Sequence, residues 1–299
     1  MSKVLAIAQN TFKEAIRNRV MYVILVFAIF IILSGIVVKD LTIAAHSQVI
    51  RTIGLAAISA VSIALALLLG IGLVYTELDK RTIYTIVSKP IDRWQFLLGK
   101  YLGLLLTLYL IVAVMTAVFL TESWLLNRQI QDYHFNAAML RCIKAIGLGC
   151  LELAVIVAFA LLFSSFSSPV LSGFMTLMVW IAGRLNEDIE RFAEKLVTDM
   201  SGTPETAQSF LGGLQFILGS ESGGAGDALK YLFAKVAVLV FPNFEIFNGR
   251  DEAIHFDTLN EIHLQMIVVN GWDAVIYAVP YTVAVLLVAM ALFGRRNFR

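Results

Sequence analysis

Charge is scarce in this chain of 299 residues: 15% are Asp, Glu, Lys or Arg, whereas 59% are apolar. A soluble domain of that length cannot hide so much apolar surface in one core without leaving large exposed patches, so lipid is the solvent for much of the chain. The few charges crowd into segments between long uncharged runs, the pattern of a polytopic helical protein. The net charge is only +1, which leaves no basic face for nucleic acid.

Cysteine, histidine and nucleotide-binding glycines are equally sparse, and each shortage removes a class of chemistry. Cys142 and Cys150 stand eight apart in what reads as one helix. At ~1.5 Å rise per residue their Cα atoms lie ~12 Å apart, too far for a disulfide. They read as small buried residues. The histidines are His46, His134, His255 and His263, all outside the apolar runs and none at H-E-x-x-H spacing. That excludes the usual zinc site or membrane-embedded protease, and His255 with His263 is a poor metal pair. The single Gly-Lys pair is Gly99-Lys100, followed by Tyr101, with Trp94 where the first glycine of a phosphate-binding loop belongs. Nucleotide binding of that kind is excluded, so no catalytic residue, metal or cofactor is expected in this chain, and it is not expected to be an enzyme.

Apolar runs are abundant: residues 20–38, 53–75, 101–121, 145–183 and 274–294. A bilayer core of ~30 Å takes about 20 helical residues, because backbone groups left unpaired in hydrocarbon are too costly. Run 145–183 is long enough for two helices. Four serines and then Pro169 interrupt it, with Ser168 placed to cap a new helix and Pro169 suited to its first position. Six transmembrane helices result. Run 20–38 exceeds the ~7–15 residues of a secretory core and lacks a small-residue cleavage pattern, so it is read as a retained span. Residues 231–241 are too short for a seventh and contain Lys235. Whether 205–241 re-enters the membrane stays open.

Basic residues set the sides. Lys3, Lys13, Arg17, Arg19, Lys80, Arg81, Lys89, Arg93, Lys100, Arg295, Arg296 and Arg299 fall on one face, against Lys39, Arg51, Arg128, Arg141 and Lys144 on the other. Both termini are therefore expected in the cytoplasm, in the inner (cytoplasmic) membrane, and 184–272 outside.

Two segments of the cytoplasmic face carry detail. In residues 1–19, Val4, Ala8, Phe12, Ala15 and Ile16 share one helical face and Lys3, Gln9, Lys13, Glu14 and Arg17 the other. This predicts an interfacial amphipathic helix, apolar side down, either as a plain anchor or as part of a docking surface. Between spans two and three, Glu77 and Arg81 can pair along a short helix that Pro90 stops. Asp92 with Gln95 then predicts a capping box, and Trp94 and Tyr101 are placed as headgroup anchors.

The run NTFKEAIR at residues 10–17, the residues Glu77, Arg81 and Thr82, the run SKPIDR at 88–93 with Gly99-Lys100, and the closing FGRRNF at 293–298 together resemble the export-type ABC transporter permeases of the type-2 (ABC-2) family. FPNFEIFN at 241–248 is similar to a stretch found before the last span in one subgroup. The resemblance implies that 76–90 contains a coupling helix docking in a cleft of a separate ABC ATPase subunit, which binds ATP and Mg. The ATPase-coupling contacts would be Glu14, Arg17, Glu77, Arg81, Thr82, Lys89, Pro90 and Arg93. It further implies a second permease chain, identical or different, and two ATP-binding subunits.

Inside the membrane, Glu152 stands alone in an apolar span; it is expected either to face a cavity between helices or to make a structural hydrogen bond. Ala56, Ala60 and Ala64 recur every four residues in span two, so its backbone can approach another helix closely. Outside, Leu185, Ile189, Phe192 and Leu196 prolong the helical period of span five, Asp227 is placed to cap a helix ending near Phe241, and Thr258 with Glu261 reads as a further capping box. This long segment is expected to meet a substrate or an extracytoplasmic partner, with Pro242, Asn243, Phe244, Phe247 and Asn248 as the candidate contacts.

The expected fold is thus an all-α integral membrane protein: an interfacial helix at 1–19, transmembrane helices one to five at 20–183 with the coupling helix between two and three, a helical extracytoplasmic segment at 184–272, and helix six with a basic tail at 273–299. The expected function is ATP-driven export or force transmission across the membrane as a permease subunit. The alternative is a non-transporting membrane scaffold.

Overall fold

The computed structural model describes residues 3–38, 46–79, 92–127, 133–198, 225–254 and 270–295. Among them every regular element is helical. The helices are α1 (Lys3–Ile16), α2 (Arg19–Val38), α3 (His46–Asp79), α4 (Arg93–Asn127), α5 (Tyr133–Ser164), α6 (Pro169–Arg184), α7 (Asn186–Thr198), α8 (Ala225–Val240), α9 (Arg250–Ile254) and α10 (Gly271–Arg295), with a 3-10 turn at Glu245–Phe247.

Five of these contain segments long and apolar enough to cross a membrane: Arg19–Val38, Ser47–Gly70, Trp94–Leu126, Ala138–Ser164 and Gly271–Phe293. The sixth differs from expectation. Helix α6 begins at Pro169, as its sequence requires, but has only 16 residues. That is about 24 Å of helix, short of the ~30 Å hydrocarbon core. Among the described residues a sixth crossing is reached by length only if Leu229–Val240 and Glu245–Ile254, on either side of a short break, count as one.

The chain forms two compact units, Met1–Thr176 with Ile246–Arg299, and Leu177–Glu245. In the first, α3 and α5 are the inner helices: 61% of each crossing segment is buried, against 22% for α2 and 28% for α10. The exposed face of α2 is apolar, carrying Val23, Val26, Phe27, Phe30 and Val37, so its remaining surface suits hydrocarbon. Tyr101 differs from its expected role as a headgroup anchor. It is 7% exposed and its hydroxyl donates to the Ala154 carbonyl 3.3 Å away, because α5 covers it. Trp94 remains half-exposed.

Helix α1 also departs from the simple interfacial picture, since it packs chiefly on α4. The contact runs along Gly99 and Gly103, one helical turn apart. A Cβ at Gly99 would lie 2.6 Å from the Ile7 Cβ, and one at Gly103 would lie 2.6 Å from the Ala8 carbonyl oxygen. Two glycines at this spacing let helix backbones approach closely, which is why α1 spends part of its apolar face on protein. Thr11 and Ala15 are buried there, while Phe12 and Ile16 stay partly exposed.

In the second unit α7 follows α6 after Leu185 without loss of the backbone ladder: Leu185 N–H donates to Ile181 and Ile189 N–H to Leu185, at 3.1 and 2.8 Å. This is the expected prolongation. Helix α7 packs on α8. The buried Asn186 amide donates to the Val238 and Phe241 carbonyls at 3.3 and 3.1 Å, satisfying groups that the end of α8 leaves unpaired. Helix α8 begins at Ala225, so Asp227 falls inside its first turn.

Candidate functional site

Two described helices flank the elbow expected to meet a partner. Glu77 lies in the last turn of α3, Arg93 opens α4, and Arg81, Thr82, Lys89 and Pro90 fall outside the described residues, as do Thr258 and Glu261. The start of α4 is organised as its sequence suggests. Gln95 and Phe96 N–H groups donate to the Asp92 carbonyl at 3.0 and 3.3 Å. The side chains meet directly: the Gln95 amide donates to the Asp92 carboxylate at 3.0 Å, instead of each reaching the other's backbone. Further along, Lys100 is 1% exposed with its ammonium 5.2 Å from the Phe96 ring, and that ring stacks on Phe293 of α10 at 6.1 Å. Glu14 and Arg17 are both exposed on and just beyond α1.

A second site lies inside the bundle. Glu152, 2% exposed, lines a cavity of about 30 Å³ enclosed by α3, α4 and α5. That volume holds a water or two. Ser59 and Ser62 contribute hydroxyls from α3, Cys150 borders it from α5, and Phe247 and Arg250 close it. Arg250 donates from its guanidinium to the Ser59 hydroxyl, while the Ser62 hydroxyl donates to the Ile58 carbonyl. Apolar residues such as Leu55, Ile58 and Val112 complete the wall, so the polar groups are few and convergent. Glu152 therefore faces a cavity between helices of its own chain.

The stretch carrying Arg250 is pinned by charge. Glu252, with a side chain 5% exposed, accepts from Arg141 at 3.0 Å and Lys144 at 2.8 Å, both on α5. Arg51 of α3 donates to the Ile254 carbonyl at 3.3 Å, a favourable place for a cation because it meets the negative end of α9. Gly249 lies flat on α5, where a Cβ would come 3.2 Å from the Ala145 Cα. Phe247 packs against Tyr277 of α10 at 6.2 Å.

The five candidate contacts around this stretch divide by burial. Pro242, Phe244 and Phe247 are buried, whereas Asn243 and Asn248 are partly exposed. Phe244 N–H donates to the Gly183 carbonyl at 3.0 Å. The Asn243 side-chain oxygen accepts from the Glu245 N–H at 2.9 Å, and the Asn248 amide donates to Asp251 at 3.4 Å. On α3, Ala56, Ala60 and Ala64 all face outward and exposed, although the helix as a whole is deeply buried.

Sequence reasoning passed over Arg250 and Glu252, and a second membrane acid, Glu122. Glu122 is 4% exposed, and neither carboxylate oxygen has a hydrogen-bond partner among the described residues. Its single negative charge at the end of an apolar run was the available signal. Neither cysteine is in a disulfide, and no cluster of metal-ligating side chains occurs among the described residues. A family model described as ABC-2 family transporter protein matches residues 5–186. The comparison with curated proteins finds no match.

Proposed function

The chain belongs to the ABC-2 transporter family, as a multi-pass membrane permease component of an ABC transporter, and from that premise we propose that it exports a substrate across the cytoplasmic membrane using ATP hydrolysed by a separate subunit. The family match runs from α1 into α7 and includes the whole elbow. On this reading Glu77, Arg81, Thr82, Lys89, Pro90 and Arg93 meet the ATPase, with Glu14 and Arg17 available beside them because both are exposed.

The observation that carries the reading is the seam between α1 and the first turns of α4. It joins the amino-terminal helix to the helix that emerges from the elbow, so a push delivered to either reaches the same membrane element. The distribution of basic residues supports a cytosolic position for this face. Three of the five exceptions to that distribution, Arg51, Arg141 and Lys144, have a separate structural reason, since they hold α9. The exposed stripe of Ala56, Ala60 and Ala64 supports a second permease chain, identical or different, packed against α3.

The test is a double charge reversal, Arg81→Glu with Arg93→Glu, in the permease co-purified with its ATPase in lipid nanodiscs. The expected result is loss of permease-stimulated ATP hydrolysis with unchanged thermal unfolding of the membrane bundle. Unchanged stimulation would overturn the docking assignment. A complex with no nucleotide-dependent change in either protein would mean a passive scaffold.

A further inference from the structure

We infer that Glu122 is a proton-binding site at the junction of α2, α3 and α4, occupied while α2 is seated and emptied when α2 lifts away. The site needs only the bundle, so it stands apart from the permease reading.

The carboxyl is built into the junction. Glu122 is 4% exposed, and neither of its oxygens has a hydrogen-bond partner among the described residues. Its Oε1 takes up room that a side chain on α2 would need: a Cβ at Gly35 would lie 3.1 Å from that oxygen and 3.8 Å from the Ile50 Cα of α3. Gly35 and Ile50 are themselves buried. Helix α2 carries no charge after Arg19, and α4 none between Lys100 and Glu122. On α3 the charged neighbour of Ile50 is Arg51, which donates to the Ile254 carbonyl. Of the other helices that touch α4, α5 carries Glu152 and also Arg141 and Lys144, which pair with Glu252, while α10 carries the anion Asp273 in its first turn. Helix α1 sits at the far end, on Gly99 and Gly103. Lys39, Asp40 and the side chains of His46 and His134 lie outside the described residues.

An ionised carboxylate in this slot loses its hydration and gains neither hydrogen bond nor ion pair, so the form that fits is the neutral acid. A metal ion would need several oxygen ligands, and no such cluster occurs among the described residues. The ligand of this carboxyl is therefore a proton.

The way out leads past α2. One turn earlier on the same face of α4, Phe119 is fully buried, and its ring lies so close to α3 that a Cβ at Gly54 would overlap it. That closes the path back toward Arg93. In the other direction α4 ends at Asn127, ~8 Å on by helical rise. The cover there is α2, whose crossing segment is only 22% buried. Once Gly35 moves off, the carboxyl meets water and ionises, and it must regain a proton before α2 can seat again.

The test uses dicyclohexylcarbodiimide, an apolar reagent that requires a protonated carboxyl. The acid O–H adds across one C=N bond, oxygen to the central carbon and proton to nitrogen, and the acyl group then migrates to nitrogen as a stable N-acylurea. With the full chain in lipid nanodiscs at about pH 7, where a solvated Glu of pKa ~4.3 is almost wholly ionised, peptide mass spectrometry should place an adduct on Glu122. Gly35→Leu, which forces the carboxyl from its slot, should cut that labelling at least about tenfold. The native chain holds a proton that the unfolded chain releases, so this stabilisation is present at low pH and lost as pH rises. The thermal midpoint should accordingly fall more steeply between about pH 6 and about pH 9 than in Glu122→Gln, which stays neutral throughout. An unlabelled Glu122, labelling indifferent to Gly35→Leu, or the same pH dependence in Glu122→Gln overturns the inference. No readout involves the ATPase, so either result leaves the permease reading to stand or fall alone.

Discussion

Two segments outside the main helices clamp onto the same bundle by opposite means. Helix α1 grips α4 through the bare backbone at Gly99 and Gly103. The stretch Ile246–Ile254 grips α3 and α5 through Glu252, Arg250 and Arg51, with Gly249 and Phe247 giving only local packing. Close backbone packing has no intermediate state: it is either seated or lost, and its strength is indifferent to salt. Ion pairs tolerate exchange of partners, and a removed partner leaves the other charge exposed to penalty. The first clamp therefore responds to side-chain bulk, the second also to salt.

The comparison breaks most sharply at the glycines. Replacing both Gly99 and Gly103 by Leu forces side chains into Ile7 and the Ala8 carbonyl, and is expected to cost about 2–6 kcal/mol in all, at roughly 1–3 kcal/mol per overpacked site. Limited proteolysis should then cut α1 while α4 remains intact, and uncut α1 would show that the seam is not what holds it.

A smaller effect is expected from Glu252→Ala, which strands Arg141 and Lys144; both are about a third exposed, which limits the loss to roughly 1–3 kcal/mol. The thermal midpoint in detergent should drop at low salt, and less so at 1 M. The comparison is sharpened by replacing all three with apolar residues, Arg141→Met, Lys144→Met and Glu252→Leu, which should restore stability to within about 1 kcal/mol. A triple variant as unstable as Glu252→Ala would mean that the charges themselves hold α9.

The smallest effect falls on the exposed side chains of the first clamp. Glu14→Gln with Arg17→Gln should shift stability by less than about 0.5 kcal/mol, yet weaken ATPase stimulation. A fall in the thermal midpoint matching the glycine variants would place these residues in packing instead.

What the sequence revealed and what it concealed divide along a physical line. The helical class, most of the spans and the start of α6 at Pro169 follow from composition and local backbone preferences, which adjacent residues carry. Glu152 was legible because a lone charge in an apolar run is costly wherever that run packs. Tyr101 was misread as an anchor because its position in the run is that of a headgroup residue, and only the approach of α5 buries it. The Glu252 pairs were invisible for a stronger reason: Arg141 and Lys144 lie 111 and 108 residues away along the chain. Arg250 shared that difficulty, since its Ser59 partner is 191 residues distant. The seam of α1 was readable in principle from Gly99 and Gly103, but the eye is drawn to Gly99-Lys100 as a failed nucleotide loop.

The position of that seam along α4 is lopsided. Helix α4 is a single rod of 35 residues without a proline, Arg93–Asn127, and α1 packs on it at Gly99 and Gly103. By helical rise residue 101 lies ~12 Å from Arg93 and ~39 Å from Asn127, so α1 braces only the end of the rod that begins at Arg93 and leaves the longer arm to the other helices of the bundle.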